Sequence, residues 1–295
     1  MFKRNQQQES TGKPKQDNGE LQAEAGNPGT SNAESLLQFW MSRNIRNCVD
    51  VNQKDGSVMV YVPEGEFEMG DGLESDCPNH KVQLSAYWIG AYCVTNAQYL
   101  QFVETTGHRS PDQADFSDDK EGKAGKPVWN GRNFPKDKAD HPVVCVSWDD
   151  AQAYARWAGC QLPTEAQWEK AARGPRGWVY PWGDKWDSAK CRHFNNKASE
   201  TTAPVYGYPE GASGFGTFNQ SGNVLEWCED WYDREYYIQS PFHQPTGPVT
   251  GKGRVQRGAC WGILFLGEFR GASRDWYYPS DRSVSRGFRL VKLTL

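Results

Sequence analysis

Apolar and polar positions along this chain follow no single period, and each periodic stretch is short. VMVYV at 58–62 is a β-branched run without a polar break, and GEFEM at 65–69 alternates before Gly70 ends it; together they predict two early strands. HKVQL at 80–84 and AYWI at 86–89 predict two more. From Thr95, Tyr99, Phe102 and Val103 recur at helical spacing until Gly107, which predicts a helix with Thr95 as N-cap. Residues 110–139 are polar and carry Gly and Pro, so they read as a surface excursion. Ser147 caps a second predicted helix over 148–158, with Ala151, Tyr154, Ala155 and Ala158 on the buried face. Asp149 and Asp150 occupy its first turn, where the helix dipole favours negative charge. Thr164 and Gln167 form a capping box for a third helix that ends at Arg173 and Gly174. Beyond it helical signals fade into turns such as WVYPWGD at 178–184 and short strands with long connections. A few helices among many short strands predict an α+β fold.

The N-terminal end behaves differently. Residues 1–34 are too poor in apolar groups to offset the entropy of ordering and are expected to be a disordered tail. SLLQFWM at 35–41 predicts a short amphipathic helix leading through a linker to residue 57, with the folded domain at 58–295. Thirty Gly and 13 Trp in 295 residues suit a turn-rich, aromatic-rich globule. No apolar run approaches the roughly 20 residues that span a bilayer. The start, MFKRNQQQES, has no signal-peptide core, so the cytoplasm is the default expectation, with the cell surface or exterior if a leader was removed. A net charge of -4 spread over both signs excludes a nucleic-acid partner. Eight cysteines stand singly, without a CxxC pair or a His cluster, which argues against a structural zinc.

The last forty residues carry a frame: Arg257, Gly258, Trp261, Arg270, Arg274, Pro279, Arg282, then Gly287, Phe288 and Arg289. Between those posts the residues fit neither a helical nor a strand period, as in a scaffold that presents a surface. The frame arginines are expected to brace loops through bidentate hydrogen bonds. The aromatic run at 276–278 and the apolar run at 263–266 read either as core, which general burial frequencies favour, or as ligand-facing surface.

Several segments, in order, resemble the formylglycine-generating enzyme/sulfatase-modifying factor family, a variant of the C-type lectin fold. They are VPEGEFEMG at 62–70, VTNAQY at 94–99, PV at 142–143 with VSW at 146–148, LPTEAQWE at 162–169, PWG at 181–183, GNVLEW at 222–227, and RG at 257–258 through GFR at 287–289. The resemblance implies that Asn219 and Glu226, with the carbonyls of Gly222 and Val224, hold a structural calcium; Glu226 reads alternatively as a partner of loop N–H groups or of an arginine. It also implies that enzymes of the family bind copper on two cysteines shortly after a segment matching GACW at 258–261. Residues 262–274 contain no cysteine, so copper chemistry is not expected. The family's iron-dependent relatives resemble one another in a closely spaced His motif on an added N-terminal domain; the five His here are scattered, so neither iron chemistry nor enzymatic activity is expected.

The C-terminal frame resembles more closely the variable proteins of diversity-generating retroelements, whose pattern RGG-x-W, R-x-A-x-R, P, R and GFR it matches in spacing. That resemblance implies that Gly262, Ile263, Leu264, Phe265, Ser273, Asp275, Trp276, Tyr277, Tyr278, Ser280, Asp281, Ser283, Val284 and Ser285 are variable, ligand-facing positions within 257–289. The function expected is a non-enzymatic, monomeric binding protein for a protein or surface glycan. The alternatives are an oxidoreductase acting on a protein cysteine, with Cys260, Cys228 and His193 as its candidates, and a lectin-like domain with one fixed partner.

Overall fold

The computed structural model describes residues 38, 40–42, 49–115, 126–197 and 201–294. The expected tail at 1–34 and most of the predicted helix at 35–41 lie outside them. Trp40, within a helical turn, is 1% exposed and its indole donates to the Gly216 carbonyl at 3.1 Å.

Strands β1 (Val49–Val51), β2 (Val58–Val62), β3 (Gly65–Met69), β4 (His80–Leu84) and β5 (Tyr87–Gly90) come first. Helices α1 (Asn96–Thr106), α2 (Trp148–Trp157) and α3 (Glu165–Arg173) follow, then β6 (Leu225–Trp231), α4 (Tyr236–Gln239), β7 (Arg254–Arg257), β8 (Asp275–Tyr277), β9 (Arg286–Gly287) and β10 (Val291–Leu293). One sheet runs β1-β2-β5-β10, all antiparallel, so the last strand closes against the first ones; Val291 pairs with Ile89. β3 and β4 form a separate hairpin, and the third sheet runs β8-β7-β6-β9 with β9 parallel to β6. The unbroken apolar run of β2 is buried at four of its five positions, while β3 alternates half-buried and exposed until Met69.

All three long helices start at the predicted caps. The Thr95, Ser147 and Thr164 hydroxyls accept from the backbone N–H of Gln98, Asp150 and Gln167, and each of those side chains reaches back to the cap residue. Such caps contribute about 1 kcal/mol each. In α2 the Asp150 carboxylate is held by this reciprocal bond as well as by His108. Gly107 ends α1 with φ 73°, a conformation that suits a residue lacking Cβ.

α3 departs from the usual amphipathic pattern. All nine of its residues are buried, including Glu165, Glu169, Lys170 and Arg173. Buried charges are tolerable only when paired and hydrogen-bonded. Lys170 donates to the carbonyls of Pro63 and Gly65, and Arg173 to Glu169 and the carbonyls of Glu68 and Gly70, while Glu165 and Glu169 meet the C-terminal frame.

Candidate functional site: the C-terminal face

Each frame arginine is paired, four of them in buried sites and Arg282 at the surface. Arg257, 0% exposed, donates to Glu165 at 2.8 Å, to Glu169 at 2.7 Å and to the Gly271 carbonyl at 2.7 Å. Arg274 grips both oxygens of Glu165 at 2.8 and 3.0 Å, and its guanidinium lies over the Tyr237 ring. Burial disfavours the Glu165 carboxylate, yet these two arginines hold its pKa below the usual range. Arg270 bonds Asp71 at 2.6 Å and Glu74 at 2.7 Å, while Arg282 pairs with Asp115. Arg289 meets Glu226 with Nε at 2.5 Å and Nη2 at 2.7 Å, and also donates to the carbonyls of Gly90 and Phe218. The chain turns between these anchor points; Gly258, with φ 99°, leaves no room for a Cβ beside the Trp168 ring.

The residues between the posts divide by burial. Leu264, Phe265 and Tyr278 are 54%, 78% and 51% exposed, Gly262 and Ser280 are exposed, and Ile263, Asp275, Trp276, Tyr277 and Asp281 are half-buried. Trp276 stacks on Tyr232 with ring centroids 5.8 Å apart and meets Tyr278 edge-on at 5.7 Å, and the Arg286 guanidinium lies 3.9 Å over Tyr277. The remaining expected positions do not face outward. Ser273, Ser283, Val284 and Ser285 are buried because their segments serve as connectors: the carbonyls of 283, 284 and 285 accept from Cys145, Trp261 and Leu225. This separation is testable by urea titration. Phe265→Asp is expected to stay within about 0.5 kcal/mol of the parent, whereas Val284→Asp, which buries a charge, is expected to lose about 3 kcal/mol or more.

The four calcium positions do not fit a cation as a set. Glu226, their only carboxylate, accepts two bonds from Arg289, one from the Trp168 indole at 2.8 Å and one from the Cys93 thiol at 3.3 Å. Its lone pairs are occupied, so the arginine takes the place of a metal. Asn219 donates to the Val205 carbonyl and leaves its buried Oδ1 without a partner. The described cysteines are buried, and burial pushes Cys77, Cys145 and Cys191 up to about 12 and Cys228 well above its ordinary value. Cys260 is the thiol next to the face, its Sγ 3.8 Å from where a Cβ on Gly262 would stand. His193 uses both ring nitrogens locally, toward Asn195 and the Ser188 carbonyl.

Sequence reasoning missed the loop at 71–76, whose Asp71, Glu74 and Asp76 carbonyl clamp Arg270 and Arg274. It also passed over Glu165 and Glu169. A signal existed for these two: they lie four apart on one helical face, and a row of frame arginines requires acidic partners.

Fold and site together define an α+β protein of C-type-lectin-like architecture whose C-terminal segment is pinned by buried ion pairs. Residues 46–294 match the sulfatase-modifying factor enzyme 1-like domain. The formylglycine-generating enzyme of Streptomyces coelicolor is 37% identical over 276 residues, covering 78% of this chain and 87% of that protein. Serine/threonine-protein kinase Pkn1 of Chlamydia trachomatis is 35% identical over 244 residues, which span 79% of this chain and 38% of the kinase. Among solved structures, PvdO from Pseudomonas aeruginosa superposes with a TM-score of 0.68 at 27% identity, over 84% of this chain and 98% of that one. Treponema denticola variable protein 1 shares the fold, with a TM-score of 0.67 at 22% identity over 84% and 99%. The chain belongs to the sulfatase-modifying factor enzyme 1-like family. The expectation of a non-enzyme, drawn from the missing cysteine pair, is therefore corrected: the relatives that match most of the chain are enzymes by name. Among the described residues no helix is long and apolar enough to cross a membrane.

Proposed function

We propose that the C-terminal face of this family member is a recognition surface, built by exchanging side chains at 262–266 and 275–281 on a fixed arginine frame. One observation supports it most: Arg257, Arg274 and Arg289 are turned inward and paired, while the irregular residues at 262–266 and 275–281 reach solvent in whole or in part. Aromatic residues such as Trp276 and Tyr278 bury much area at low rotamer cost, which suits them to contact a partner. Recognition at this face is compatible with the enzymatic names of the family's members.

Sequencing the same locus in sister isolates tests the reading. Substitutions are expected to concentrate at the outward positions, with Arg257, Arg270, Arg274 and Arg289 constant and Ser283, Val284 and Ser285 nearly so. Changes spread evenly over the domain would overturn it. The names of the relatives favour a second reading, oxidation of a protein cysteine, with the polypeptide substrate received on the same face. Oxygen-dependent turnover of a cysteine-containing peptide, lost in Cys260→Ser, is the result that reading requires.

A further inference from the structure

The proposed recognition face has a chemistry of its own at one end. Leu264, Phe265 and Leu266 stand exposed in a row, 54%, 78% and 48%, at the entry of the turn Leu266–Phe269. A second exposed apolar residue, Leu73 at 71%, sits on the loop between β3 and β4. One guanidinium joins the two segments: Arg270 donates to Asp71 and Glu74 on the loop and to the Gly267 carbonyl on the turn. Four large apolar side chains thus flank a single tie point. Exposed apolar clusters of this kind mark interaction sites.

Charge decides what fits beside them. Glu268, exposed on the same turn, lies in the field of Asp275 and Glu74, and Arg270, the cation opposing these acids, is already engaged by Asp71 and Glu74. Desolvation, with these neighbouring acids, raises the Glu268 carboxyl above its ordinary value. Arg274 is turned inward to Glu165. Lys197, over the rings of Phe194 and Trp261, borders the face on the Trp261 side. Arg234 reaches Ser75 on the loop, yet Asp71, Glu74, Asp76, Glu268 and Asp275 still outnumber the cations Arg234, Arg270 and Arg274, so the Arg270 end carries excess negative charge next to aliphatic surface. A sugar ring is held by flat aromatic platforms with paired polar groups beside them; Phe265 is the single ring among these four side chains, and Leu73, Leu264 and Leu266 add aliphatic surface without polar partners.

Building on the proposed recognition role, we infer that this end of the face docks a polypeptide segment that presents an apolar side chain beside a lysine or arginine. The apolar group covers Phe265 and Leu266, and the cation meets Glu268.

A randomised peptide library selected on the whole protein tests this. Enrichment of sequences pairing a basic with a large apolar residue is expected, with binding reduced about tenfold or more by Phe265→Asp. Glu268→Lys, an exposed change, should shift the selected charge from basic to acidic, and binding to the parent should weaken with salt. Peptides that depend on Phe265 but are acidic, or ignore Glu268→Lys, would overturn the inferred partner and leave the recognition surface standing. Absence of any peptide whose binding depends on Phe265 would overturn both.

Discussion

Replacing Arg289 by Met is expected to cost about 3–5 kcal/mol, the usual penalty for leaving one charge of a buried pair alone. Both partners are 0% exposed, and the arginine satisfies both oxygens of Glu226 together with the carbonyls of Gly90 and Phe218. Its loss strands an ionised carboxylate among Trp168, Cys93 and apolar side chains. At roughly 2–4 °C per kcal/mol for a domain of this size, the thermal midpoint should fall by about 6–20 °C. In urea the midpoint should move without a change in slope. Adding Glu226→Leu to Arg289→Met is expected to regain part of the loss, because no charge is then left buried. A single variant within 1 kcal/mol of the parent would show that the frame does not hold the fold.

The same pair shows why some of this protein could be read from sequence and some could not. Caps, β-branched runs and helix-ending glycines act within a few residues, so Thr95, Ser147, Thr164 and Gly107 announced their elements correctly. The frame arginines announced themselves by type and spacing, and their inward pairing follows from the cost of burying a guanidinium unpaired. Their partners are 63 to 199 residues away in the chain, and nothing local says whether Glu226 faces an arginine or a cation. That is why the sequence left the partner of Glu226 open while the arginine frame could be read directly. Ser283 to Ser285 were misplaced for a related reason: small hydroxyl residues suit an exposed loop, but here backbone bonds to Cys145, Trp261 and Leu225 fix them under the surface. Function followed family rather than motif. A missing cysteine pair spoke against an enzyme, while similarity over most of the chain placed it among enzymes.

Raising the pH from about 5 to about 8 is expected to destabilise the folded protein, and Asp230→Asn is expected to remove most of that slope. Asp230 lies at the end of β6, 3% exposed, and accepts the backbone N–H of Glu165 at 2.8 Å. Burial raises its carboxyl from 3.8 to about 8, helped by Glu165 and Glu229 and opposed by that N–H and by Arg274. The folded state therefore keeps a proton that the unfolded chain gives up near its ordinary value. Stability is full below that value and declines as pH climbs toward the folded one, by about 1.4 kcal/mol per unit of difference. Glu165 acts in a different window: its lowered pKa makes acid, not base, destabilising, so it leaves the range between about 5 and 8 to Asp230. Glu229, half-buried and raised by desolvation, adds to the same trend. Asn can still accept from Glu165 while carrying no charge to bury. Urea midpoints at both pH values for parent and variant decide the matter; a parent equally stable at each, or an unchanged slope in Asp230→Asn, would show that the carboxyl is ionised in place. Because Asp230 anchors the residue that holds Arg257 and Arg274, alkaline loosening is expected to reach the recognition face through Glu165 before it reaches the sheet of β1, β2, β5 and β10.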